Sequence, residues 1–324
     1  MKTKQVFWEF PLKPITGSVF QATGFPDIGY ATFIRPIASG ENVVTKKEYL
    51  LVESAQSMAN HLEDTLWDGT TRSPIPLIAD LPWIRVLNRE ESFLTSSRLE
   101  AHRLASAWIK DSTLDGVPMI AVIRNRFELK DEIPLNYNQI ANAVFSLDPI
   151  ALIHGVFFAD SKWPGQPKFR RAITATIEAS DVETVNYGGV KRELVRHKLN
   201  EESPGTKEGY GSVPYHRQEF AAGAITLHVA IDEAQLESYG LGEKATELLV
   251  SLAKYEVSML LEGGLRARTN CNLIGIDTGE FPSSTELEDK ITDGIRSCDS
   301  LFPAKGPIDV VHEAKKKEPR ADRN

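Results

Sequence analysis

Cysteine is nearly missing from this chain: Cys271 and Cys298 are the only two in 324 residues. Neither belongs to a CxxC pair or a His/Cys cluster, which argues against a disulfide framework and a structural zinc site. The seven histidines, at 61, 102, 154, 197, 216, 228 and 312, are scattered without metal-ligand spacing. No apolar run reaches about 18 residues, the rough length of a membrane-spanning helix. The first residues lack the apolar core of a secretion signal. The chain therefore reads as soluble and cytoplasmic, with reduced thiols and no membrane partner. Nucleotide fingerprints are absent too, with neither GxxxxGKS/T nor GxGxxG after a strand. Gly188-Gly189-Val190-Lys191 imitates a phosphate loop but lacks the strand–helix setting. There is no GxSxG elbow and no HExxH, so no cofactor or resident metal is implied.

Positive charge is in deficit. With 37 Lys and Arg against 45 Asp and Glu, the formal net charge is −8. Such a molecule does not gather nucleic acid indiscriminately, and any nucleic-acid site must be a local basic track on an acidic body. Positive charge collects between Lys162 and Lys198, where eight Lys and Arg face four Asp and Glu. Residues 232–262 are acidic.

What is present centres on Leu51 to Asp64, LVESAQSMANHLED. Leu51, Ala55, Met58, Leu62 and Leu66 recur at three- and four-residue steps, which predicts a helix with one apolar face. Its other side offers Ser54, Gln56, Ser57 and Asn60 where Lys and Glu would be ordinary. Short neutral hydrogen-bonding groups suit phosphate or sugar, and equally a polar protein surface.

Strands are predicted at 5–10, 30–35, 119–124, 150–158, 170–179, 223–231 and 265–271. Helices are predicted at 98–110, capped by Ser96 or Ser97, at 138–147, and at 243–262, stopped by Gly263-Gly264. Residues 24–29, GFPDIG, form a turn carrying Asp27, and residues 68–82, with prolines at 74, 76 and 82, form a loop. The 150–158 run is almost uniformly apolar, as a strand buried on both faces would be. Its one polar side chain, His154, fits a satisfied core histidine better than a ligand. In 170–179, 223–231 and 265–271 an apolar side alternates with a small polar or basic one, and the last groups Arg266, Arg268 and Asn270. Such strands with helices on one side imply an α+β, ferredoxin-like fold with an open polar sheet face. Residues 186–217 are rich in Gly and charge and too long to be a mere connection. The final residues, from Glu313, should be a disordered tail.

Catalytic constellations do not stand out. Asp27 is the one acidic residue placed like a loop catalyst, and turn formation explains it more simply. His102-Arg103 is placed on the 98–110 helix and suits surface or packing as readily as catalysis. The remaining chemistry is of the RNA-binding type. Arg and Lys supply phosphate affinity, neutral amides position a backbone, and Trp163, Phe169, Tyr187, Tyr210 and Tyr215 could stack on bases.

Several stretches add a resemblance: GFPDIG at 24–29, ESAQSMANHLE at 53–63 with Trp67-Asp68, SSRLEAHR at 96–103, LIHGVF at 152–157, GSVPYHR at 211–217, YGLG at 239–242 and GLRARTNC at 264–271. Through these the chain resembles the backbone-forming RAMP subunit of the type I-G (formerly I-U) CRISPR Cascade-type surveillance complex. The resemblance implies an RRM-like palm with inserted finger and thumb elements. It places a single domain at 1–312, the finger within about 68–150, the thumb at about 186–217, and the tail at 313–324. It also implies a non-catalytic subunit that polymerises along guide RNA (crRNA), while base pairing with target DNA reads the sequence. Its partners would be further copies of itself, other effector-complex subunits and a recruited helicase-nuclease. Related type III subunits cleave RNA with a loop Asp, so a metal-dependent endoribonuclease using Asp27 is the alternative. Expected RNA contacts are Ser54, Gln56, Ser57 and Asn60 on the helix, and Arg35, Lys168, Arg170, Arg171, Arg266 and Arg268 for phosphate. Tyr215, His216 and Arg217 belong to the thumb, and His154 and Asn270 complete the set.

Overall fold

The computed structural model describes residues 5–25, 28–38, 44–192, 194 and 211–313. Asp27, Tyr210 and residues 314–324 of the expected tail lie outside this set. In chain order the principal elements are β1 (Gln5–Pro14), β2 (Val19–Phe20), β3 (Thr32–Ala38), β4 (Val44–Glu53), α1 (Ala55–Asp64), β5 (Trp83–Leu87) and β6 (Phe93–Ser96). There follow α2 (Met119–Arg126), α3 (Tyr137–Leu147), α4 (Ile150–His154), β7 (Ile173–Lys191) and β8 (Val213–Asp232). The chain continues through α5 (Glu243–Gly263), β9 (Leu265–Arg268), β10 (Cys271–Gly275), α6 (Ser284–Ser297) and β11 (Pro307–Val311).

An antiparallel sheet in the order β9-β10-β1-β8-β7-β4-β3, with β2 added to β8, forms the body. The period-2 alternation decides its core face. Ile173, Ala175, Ile177 and Ala179 of β7 and Ile225, Leu227, Val229 and Ile231 of β8 are all buried, as are Phe10 and Leu12 of β1. α1 and α5 pack on that face. The opposite face stays open, with Phe7 and Thr174 exposed. β3 is an edge strand, which is why Pro36 can lie inside it without breaking a ladder. The expected 30–35 strand thus runs on to Ala38.

A second, five-stranded sheet contains β6-β5-β11 and the 113–114 and 117–118 strands. β5 and β11 pair in parallel, from Trp83↔Pro307 to Leu87↔Val311. The expected finger region therefore takes a central strand from near the end of the described chain. The 68–82 loop carries a short strand at Ser73–Pro74 and a 3-10 turn at Pro76–Ile78.

Residues 138–147 and 243–262 are helical as expected, in α3 and α5, and Gly264 at φ +74° ends the latter. The expected 51–64 helix begins only at Ala55, because Leu51-Val52-Glu53 pair in β4. Four other readings are corrected. The 150–158 run is the α4 helix and then a two-residue strand, Val156–Phe157. A helix buried on all sides needs the same unbroken apolar run as a doubly buried strand. Residues 119–124 are helical because Met119, Ile123 and Phe127 make a buried i, i+4, i+8 stripe. Residues 98–110 form no continuous helix. Ser97 and Arg98 are anchored to Asp148 and Arg103 takes φ +48°, so a helix forms only at Ala107–Lys110, capped by Ser106. Residues 265–271 fold back on themselves at Asn270, φ +57°, as the β9–β10 hairpin.

Of the expected 186–217 insertion, 193 and 195–210 lie outside the described residues, and 186–191 with 213–217 form the outer part of a ribbon. β7 and β8 pair from Ile173↔Ile231 to Lys191↔Val213, about 60 Å at the usual strand rise. Its outer half is exposed and carries Tyr187, Tyr215, His216 and Arg217. Among the described residues, no helix is long and apolar enough to cross a membrane.

Leu252 of α5 has no exposed surface. Leu252→Ala is expected to cost roughly 2–5 kcal/mol, read as a lower denaturant midpoint at unchanged slope. A loss under about 1 kcal/mol would contradict the packing of α5 on the sheet.

Candidate nucleic-acid interface

α1 starts where Ser54 turns the chain out of β4. The Ser54 hydroxyl accepts the Ser57 amide N–H at 3.3 Å, so it serves the helix as its N-cap. Met58, Ala59 and Leu62 are buried, which turns Gln56 and Asn60 outward, exposed and one helical turn apart. Ser57 is half-buried.

Three hydrogen bonds tie this helix to its surroundings, and a fourth links one of its partners onward. The Arg103 guanidinium donates from Nε and Nη2 to the two Glu63 carboxylate oxygens, both at 2.8 Å, and from Nη1 to the Gly155 carbonyl at 2.9 Å. Gly155, at φ +80°, lies against the backbone of 169–171. A Cβ there would come within 2.8 Å of the Phe169 carbonyl oxygen and 2.9 Å of the Arg171 nitrogen. Arg171 Nη1 donates to the Ala55 carbonyl at 3.1 Å and so returns to α1.

These contacts border a groove of about 370 Å³ lined by His102, Arg103, Phe157, Lys168, Arg170 and Arg171, among others. Among the described residues no Asp or Glu lines it. Lys168 and Arg170 are exposed, and Lys168 Nζ sits 5.1 Å from the centre of the Phe157 ring. Burial and the neighbouring Arg103 depress Arg171, with Glu63 opposing. Like cations thus crowd one concave surface of an acidic protein, which makes it a field-focusing site for anions.

Beneath the groove the charges are paired. Arg98 meets Asp148 at 2.9 Å, and Ser97 donates to the same carboxylate at 2.6 Å. His154, expected among the RNA contacts, is corrected by the structure. Its ring is fully buried, with Nε2 2.9 Å from Glu256, and has no surface to offer a ligand. Trp163 and Phe169 are buried as well and cannot stack on bases.

The remaining expected contacts divide into committed and free groups. Arg268 is committed: it ion-pairs with the buried Glu53 and donates to the carbonyls of Gln21 at 2.8 Å and Val52 at 3.2 Å. Asn270 donates to Glu219 at 2.9 Å, and Arg217 to the same carboxylate at 2.6 Å. Arg35 pairs with Glu178 at 2.7 Å on the open sheet face. Arg266 and His216 are exposed. On the ribbon, the Arg217 guanidinium lies 5.9 Å and 5.4 Å from the ring centres of Tyr187 and Tyr215, both exposed. The structure brings Arg171 and Arg268 to one place, the 52–55 junction between β4 and α1. Among the described residues no three His, Cys, Asp or Glu side chains converge to hold a metal ion.

Sequence reasoning missed Arg103 and Gly155. An Ile-His-Gly step closing an apolar run is a helix-end signal, which would have found the glycine. Nothing local marks the arginine.

Burial works to raise the Glu63 carboxyl, but His154, Arg103 and Arg98 outweigh it and hold it below its ordinary 4.5. A carboxyl depressed in the folded state stabilises above its unfolded pKa, and that stability is lost as pH falls through the folded one. Glu63→Gln is therefore expected to flatten the acid limb of stability below pH 4.5. Denaturant titrations at a series of pH values check this, and an unchanged limb would contradict it.

No curated protein matches the chain. A solved chain from a "CRISPR RNA-guided surveillance complex, pre-nicking" aligns with a TM-score of 0.37 and 12% identity, covering 78% of this chain and 68% of that one. That likeness is too distant to bear on function. The family model for CRISPR-associated protein GSU0053 (Cas_GSU0053) matches residues 6–184, more than half of the chain. The protein belongs to this CRISPR-associated family.

Proposed function

We propose that this protein is a non-catalytic backbone subunit of a type I-G CRISPR effector complex. It polymerises along crRNA, holds the guide backbone and leaves bases free to pair with target DNA. Its partners are the guide, further copies of itself, the other effector subunits and a recruited helicase-nuclease. The observation that carries this reading is the groove bearing His102, Lys168, Arg170 and Arg171, without a carboxylate among its described lining residues, on a chain of net charge −8. Family membership supports it. The strand order β10-β1-β8-β7, with α1 in the first crossover and α5 in the second, supports an RRM-like palm. The ribbon of β7 and β8 fits the thumb, with the Tyr187–Arg217–Tyr215 stack as a surface for bases. Gln56 and Asn60 are suited to sugar and phosphate beside the groove.

Purified protein is expected to carry RNA, seen as excess absorbance at 260 nm, and to cleave no complementary RNA with Mg²⁺. Lys168→Ala/Arg170→Ala should weaken single-stranded RNA binding at least tenfold and flatten the salt dependence by roughly one to two log units per log unit of salt. Nucleic-acid-free protein with no RNA affinity would overturn the assignment.

A further inference from the structure

The residues that face the groove and the residues that shape it are different. Arg103 lines the groove, yet three of its five N–H donors are spent, on both Glu63 oxygens and the Gly155 carbonyl. Its backbone is at φ +48°, a left-handed conformation that disfavours a residue bearing a side chain. That conformation persists because the side chain is gripped at three points. The links then run in a circuit. Arg103 holds Gly155, and Gly155 abuts the 169–171 backbone too closely for a Cβ. Arg171 holds Ala55, and α1 carries the path back to Glu63. Lys168 precedes the abutted segment and Arg170 lies within it, and Gln56 and Asn60 lie on the helix that closes the circuit.

We infer that Arg103 is a positioning residue of this groove: it sets the amide face of α1 against Lys168 and Arg170 and does not itself bind the ligand phosphate. The inference rests on the RNA-binding reading above and adds the device that fixes its geometry.

One substitution separates this from a simple sum of charges. Glu63→Gln removes a negative charge beside an anion groove. Were Arg103 a phosphate ligand restrained by Glu63, freeing it would tighten RNA binding and steepen the salt slope by about 0.7 to 0.9. A positioning role has the opposite sign. The amide offers Arg103 only one acceptor, the two-point grip is lost, and binding weakens.

The test uses full-length protein and fluorescently labelled single-stranded RNA, with and without a 5′-phosphate, titrated across a salt series. Glu63→Gln and Arg103→Lys are each expected to weaken binding about tenfold with the salt slope retained, equally for both RNA ends. Arg170→Gln should lower the slope by about one. In Glu63→Gln, amide hydrogen exchange at 169–171 should quicken while α5 is unchanged, which separates local loosening from failure to fold. Tighter binding by Glu63→Gln, wild-type affinity in Arg103→Lys, or unchanged exchange at 169–171 would each overturn the positioning role. Loss confined to 5′-phosphorylated RNA would also overturn it, since the groove would then hold a chain end. If wild-type protein binds no RNA, the functional reading fails and takes this inference with it. If the wild type binds and the variants match it, only the inference fails.

Discussion

A guanidinium held between the Glu63 carboxylate and the Gly155 carbonyl joins three segments that are distant in the chain. Arg103 leaves the 96–106 turn, Glu63 closes α1, and Gly155 ends α4. Because Gly155 touches the backbone of 169–171 directly, moving any one of the three moves the wall that carries Lys168 and Arg170. The fork of a guanidinium suits this duty, since it can grip a carboxylate at two points and still donate to a carbonyl.

Counting cations does not locate the anion site, because three of the predicted ones are already neutralised. Arg35 is matched by Glu178, Arg217 by Glu219 and Arg268 by Glu53. These pairs hold the sheet face, the outer ribbon and the hairpin end in place, and they leave little net field for a polyanion. The segment 168–171 differs because carboxylates are absent from the groove it borders, among the described residues. On a chain of net charge −8, that local asymmetry gives the surface its sign, and salt would screen it over roughly 8–10 Å.

The long elements were legible in the residues. α3 and α5 have clear helical periodicity, and the inner halves of β7 and β8 have clear alternation, so their buried faces follow from spacing alone. Shorter stretches failed for identifiable reasons. The 150–158 run names burial without naming a period. The 119–124 window stops short of Phe127, the residue that reveals its helical stripe. At 98–110 the helical spacing of Leu99, Leu104 and Trp108 is overruled by Arg98 and Ser97, which are drawn to Asp148 about 50 residues away. At 265–271 one Asn in the left-handed region converts a strand into a hairpin.

By itself the sequence determined the apolar face of α1, its neutral outer face at Gln56 and Asn60, and the concentration of positive charge after Lys162. These depend only on neighbours within a few positions. Tertiary structure decided which polar groups remain available. His154 and Trp163 went to the core, Arg268 and Asn270 to internal carboxylates, and Lys168 and Arg170 to the groove. The partners that commit His154, Arg268 and Asn270 lie 102, 215 and 51 residues away, and local spacing carries no trace of them.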